Sequence, residues 1–190
     1  MEVNEIVDEL TKVDNNLYNE IRTGYKFYVP SGLKNIQSKE FNEIVTDNYH
    51  NYYIYIDAVS YFNKVNKNYE INKKAYYSNS LIKGDKFGYV EINQFKSGEY
   101  LLEIMYNYAK IEVIVEEASL KKVVAYSINI LSSINYNDNV IENMMGNNVL
   151  QFKETEFDIF ETRRNDENYL NYEETESVVE DVIPDMDLID

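Results

Sequence analysis

The chain has 190 residues and a mass of 22.5 kDa, with 44% apolar and 27% charged residues, enough for one domain with a real core. It contains no cysteine, which excludes disulfides, thiolate catalysis and cysteine-ligated metal centres. The formal net charge is −16, but it is unevenly placed: Lys153 to Asp190 holds 14 acids and 3 bases, against 20 and 15 in residues 1 to 152. The amino terminus, "MEVNEIVDELTKV", has acids where an export signal needs bases. No window offers the roughly 20 apolar residues of a membrane helix. A cytoplasmic protein without a membrane partner is therefore expected.

The first segment, "NEIVDELTKVDNNLYNEI", spaces Ile6, Val7, Leu10, Val13, Leu17 and Ile21 by mostly three and four, which predicts one amphipathic helix. "YKFYVP" alternates Tyr25, Phe27 and Val29 as a short strand ended by Pro30. "SKEFNEIVTD" reads as a helix with Ser38 at its N-cap and Phe41, Ile44 and Val45 inward. "NYYIYIDAVSYF" reads as one strand of about twelve residues, with Tyr52, Ile54, Ile56 and Ala58 on the core side and Asp57 among tyrosines on the other. After a polar stretch come "FGYVEINQF", "EYLLEIMYN" and "AKIEVIVEE", three strands with "KSG" and "NYA" as joints. In the third, Ala109, Ile111, Val113 and Val115 alternate with Lys110, Glu112, Ile114 and Glu116, which predicts a sheet with one buried face. "SLKKVVAYSINILSSI" supplies the covering helix, with Ser119 at its N-cap, and "DNVIENMMG" adds a shorter one with an approximate capping box between Asn139 and Glu142.

This order predicts an α+β domain over residues 1–152, an antiparallel sheet covered by helices. Residues 153–164 are expected as an edge segment packed on the body, and residues 165–190 as an acidic, disordered tail. Over residues 24–136, from "YKFYVP" to the late helix, the element order resembles the PsbP/Mog1-like α/β sandwich, which implies an accessory role and no particular functional residue.

Candidate chemistry is sparse. His50 is the sole histidine, in "TDNYHNYY" with Asp47 three residues away, and a loop histidine ahead of a strand is the expected role. Glu91, Glu103 and Glu112 fall in adjacent predicted strands, where a carboxylate pair would suit a hydrolase, although acids alternating with apolar residues also mark a solvated sheet face. "DMDLID" lacks the glycine and terminal glutamate of a calcium loop, and "KGDKFG" lacks the lysine and hydroxyl pair of a phosphate loop. No cofactor or metal is expected. Direct nucleic-acid binding is disfavoured, since no basic cluster exceeds "NKK" and "LKK".

The tail is the remaining candidate. Among its acids stand Tyr169, Leu170 and Tyr172, then Val178 and Val179, Val182 and Ile183, and finally Met186, Leu188 and Ile189. Apolar clusters between acids are the composition of segments that order on a partner's apolar groove rimmed by bases. The expectation is a non-catalytic binding or adaptor protein that contacts a protein partner with a basic, partly apolar surface. An acidic inhibitor of a nucleic-acid-binding protein is the alternative, and a carboxylate hydrolase stands behind both.

Overall fold

The computed structural model describes residues 2–13, 15–66 and 68–146. They form an α+β fold. A three-stranded sheet has the order β1-β2-β10, and a seven-stranded antiparallel sheet has the order β3-β4-β5-β9-β8-β7-β6. The strands are β1 Glu20–Arg22, β2 Tyr25–Phe27, β3 Lys34–Lys39, β4 Asn42–Thr46, β5 Asn51–Ile56, β6 Tyr77–Lys83, β7 Lys86–Lys96, β8 Glu99–Tyr106, β9 Ala109–Glu116 and β10 Asn135–Tyr136. The helices are α1 Val3–Lys12, α2 Ala58–Asn63, α3 Leu120–Ser133 and α4 Asp138–Gly146. No helix among the described residues is long and apolar enough to cross a membrane.

The core follows from strand register. Ile54, Ile111, Ile104 and Val90 stand in one row across β5, β9, β8 and β7, all with 2% exposure or less. Against this face α3 lays Val123, Val124, Ile128 and Leu131, all buried. Helix α1 then packs along α3 through Ile6 and Val7. Together these side chains make a single apolar cluster between sheet and helices.

Four expectations are corrected. The first helix stops at Lys12, and Val13, Leu17 and Ile21 are more than 60% exposed. Asparagines explain the stop: Asn15 Oδ1 accepts the Leu17 amide, and the Asn19 side chain exchanges two hydrogen bonds with the Val29 backbone. Such side chains offer the backbone an alternative to the helix. The segment 38–47, counted as a helix in the PsbP/Mog1-like order, is instead the hairpin β3–β4, turned by Glu40 and Phe41 at φ 45° and 67°. Two successive left-handed residues are the geometry of a two-residue hairpin turn. The run from Asn51 to Phe62 splits at Asp57. Its Oδ1 accepts the Ser60 amide at 2.8 Å, so it caps α2 and is not a strand residue among phenols. The polar stretch ahead of β7 contains a further strand, β6, paired antiparallel with β7.

Ser119 stands at the N-cap of α3, as expected, but makes no side-chain cap hydrogen bond. Ser119 turns its hydroxyl to Glu116, and Asn137, not Asn139, holds the first turn of α4 through the Val140 amide at 3.3 Å.

Candidate functional site

Side chains alternate across a strand, so the row next to the core row faces away from the helices. It runs Tyr53, Glu112, Glu103, Glu91 and Ser78 across β5, β9, β8, β7 and β6. The three glutamates therefore stand side by side, as their strand positions suggested. The face is not the solvated one expected: Glu112 is 5% exposed and Lys110 beside it 2%. Part of the cover is the segment between α2 and β6. Its Tyr69 ring stacks on Tyr89 at 4.2 Å, its Tyr69 hydroxyl donates to Glu91, and Asn72 Nδ2 donates to the same carboxylate at 2.9 Å.

Each acid of the row has donors of its own. Lys110 Nζ lies 3.0 Å from Glu112 Oε1, the Tyr89 hydroxyl donates to Glu103, and Asn93 Nδ2 reaches Glu91 at 2.7 Å. Glu103 and Glu112 stand directly opposite each other across β8 and β9. Burial pushes the Glu112 carboxyl up from its ordinary value, Lys110 pulls it down, and Glu103 adds to the rise. Burial beside Glu103 likewise pushes the Tyr89 phenol far up, so it stays a donor.

A second cluster surrounds His50, in the turn between β4 and β5. The ring is buried, with Nδ1 3.1 Å from both Asp47 oxygens and Nε2 2.8 Å from Glu116 Oε2. Asp47 is oriented by the Tyr49 and His50 amides at 3.0 and 2.7 Å and is approached by Lys122 Nζ at 3.0 Å. Burial opposes a charged ring, but the Glu116 and Asp47 carboxylates outweigh it, and the His50 pKa rises above its ordinary value. Ser119 first and then His50 hold Glu116 down to about 2. When protonated, the ring donates from both nitrogens and ties the β4–β5 turn to the end of β9.

The sign of its pH dependence follows. A raised histidine pKa contributes stability in full below its unfolded value, about 6.5, and loses it as pH climbs through the folded value. Glu116 works the other way, losing its contribution as pH falls from about 4.5 toward about 2. Urea unfolding between pH 5.5 and 9 should show stability declining through the alkaline half, and His50→Gln should flatten that decline. Equal slopes in both proteins would refute the clamp.

No protein-family model and no curated protein matches this chain. The ten apolar tail residues from Tyr169 to Ile189, and the edge segment 153–164, lie outside the described residues. Among the described residues no group of three or more histidines and acids is arranged to hold a metal ion. Sequence reasoning passed over Glu43, which lies on the core face, fully buried, and accepts from Arg22, Tyr25, Asn35 and Ser38. A glutamate within "FNEIVT" gave no signal beyond its apolar neighbours.

Proposed function

We propose that this protein is a non-catalytic binding or adaptor protein, whose folded body is a scaffold and whose acidic, apolar-punctuated segment 165–190 contacts a basic, partly apolar surface of another protein. One observation carries the reading: the body's candidate acid and base groups are already engaged with one another. His50 has both ring nitrogens committed, and Glu91, Glu103 and Glu112 each accept from a neighbouring tyrosine, amide or lysine. The segment after Lys153, in contrast, concentrates acids and apolar residues in alternation.

The hydrolase reading draws on Glu91, Glu103 and Glu112, but each is turned to a neighbour of its own: Glu112 to Lys110, Glu103 to the Tyr89 hydroxyl and Glu91 to Tyr69 and Asn72. The inhibitor reading calls for a carboxylate-dense exposed face, and the aligned glutamates do not supply one, since Glu112 is turned to Lys110 under cover.

Deletion of residues 165–190 should leave the melting transition within about 2 °C of wild type and abolish salt-sensitive retention of the purified partner. If the deletion unfolds the body, or leaves retention intact, the proposal fails.

A further inference from the structure

At one end of the larger sheet, the C-terminus of α2 and the β6–β7 and β8–β9 turns enclose a groove of ≈ 360 Å³. Its walls include Tyr61, Phe87 and Tyr108. Tyr108 meets Tyr61 edge to face at 5.5 Å and 86°, and Phe87 at 5.2 Å and 78°. Tyr108 thus stands nearly perpendicular to both Tyr61 and Phe87, and Tyr136 stacks on one face of Tyr61 at 3.9 Å. The exposed Asp85, in the β6–β7 turn, stands at the rim. It adds to burial in lifting the Tyr108 phenol, so its charge is felt inside the groove. The structure also shows what such a space holds: Lys64 Nζ lies 3.7 Å from the Tyr61 ring centroid.

We infer that this groove is a cation-recognition site that takes a lysine ammonium or arginine guanidinium of a partner protein in the place Lys64 holds over Tyr61. The Tyr61 face attracts a cation, the neighbouring Phe87 and Tyr108 rings strip its water, and Asp85 supplies an opposite charge. A volume of ≈ 360 Å³ falls within the range of ligand pockets and accommodates a long side chain. The net charge of −16 draws cations toward the molecule from a distance. The inference rests on the proposed basic partner and names the feature of that partner which the body would read.

Lys64 makes the site self-occupied, and this fixes the direction of the key test. Its backbone is left-handed at φ 52°, a conformation asparagine tolerates, so Lys64→Asn removes the ammonium without straining the turn. The full chain is titrated with N-acetyl-lysine methylamide, N-acetyl-arginine methylamide and, as the matched anion, acetate, following the ring resonances of Tyr61 and Tyr108. Saturable shifts are expected with both cations and not with acetate. Lys64→Asn should tighten cation binding several-fold, while Asp85→Asn and Phe87→Leu weaken it several-fold, each variant keeping wild-type amide dispersion. Acetate shifts that vanish in Lys64→Asn would make this an anion site and overturn the inference, as would the absence of saturation by roughly 0.1 M of either cation. Cation shifts in a protein whose partner retention ignores the tail would speak against the adaptor reading alone. Tail-dependent retention without cation shifts would speak against the groove alone.

Discussion

Replacing Glu43 by alanine should destabilise the fold by about 3–5 kcal/mol, the cost of stripping one partner from a buried ion pair, and lower the melting temperature by on the order of 10 °C. The carboxylate has no exposed side-chain area and receives five hydrogen bonds from three other strands. Arg22 Nε and Nη2 reach its two oxygens at 2.8 and 3.0 Å, the Tyr25 hydroxyl donates at 2.7 Å and Ser38 Oγ at 2.9 Å. Arg22 and Tyr25 belong to the small sheet, and Asn35, Ser38 and Glu43 to the large one, so this one carboxylate joins the two sheets. Alanine would leave a guanidinium, a phenol and an amide facing a void, each bearing a desolvation cost that burial no longer offsets. Glu43→Gln keeps the acceptor oxygen but not the charge, and should fall between wild type and alanine. Pairing Glu43→Leu with Arg22→Met removes both ions and should recover part of the loss. Thermal and urea unfolding of the four proteins decide the matter; a Glu43→Ala protein melting within about 2 °C of wild type would show that the network does not hold the sheets together.

Glu43 also explains why the hairpin around it was not legible. A strand shows itself by apolar residues at every second position on the buried side, and here the core-facing position between Phe41 and Val45 is an acid. What remains, Phe41, Ile44 and Val45, fits a helical stripe as well as a strand. The turn signal is missing too, because Glu40 and Phe41 do the work usually left to glycine and asparagine. Phe41 holds its left-handed backbone because its ring is buried, 5.3 Å from Tyr25, a tertiary contact invisible in the local sequence. The meander β7–β8–β9 and helix α3, by contrast, were plain, since each buries its apolar face with no charged exception on that side.

The candidate sites divide in the same way. Glu91, Glu103 and Glu112 were placed together correctly, because register follows from strand periodicity once the turns are fixed. That Lys110 and Glu112 are buried could not be read from alternation, which predicts the side of a sheet but not whether another segment covers it. Tyr61, Phe87 and Tyr108 come from a helix, a strand start and a turn more than 20 residues from one another in part. Only the closed sheet assembles them, so no spacing in the sequence announces the groove.

Gly88→Ala should be the most damaging small substitution in the described body, costing more than about 3 kcal/mol, beyond ordinary core overpacking. Gly88 pairs with Tyr106 at the end of the β7–β8 ladder away from the hairpin turn, and both are buried. A Cβ there would come within 1.9 Å of the Met105 carbonyl oxygen, 2.7 Å of its carbon and 2.8 Å of the Tyr106 Cα. These are backbone atoms, which no rotamer change can move, so the strands must part and surrender ladder hydrogen bonds whose groups lie far from water. The injury would reach the proposed cation groove as well. Phe87 precedes Gly88, and the Phe87 carbonyl accepts the Asn107 amide at 3.1 Å, which sets the turn carrying Tyr108. Gly146→Ala, where a new methyl meets nothing within 4 Å, serves as the control and should stay within about 0.5 kcal/mol of wild type. Against a total stability of about 5–15 kcal/mol, Gly88→Ala should broaden or abolish cooperative melting and lose cation shifts together. A variant that melts like Gly146→Ala would mean that β7 and β8 lie farther apart at this pair than described.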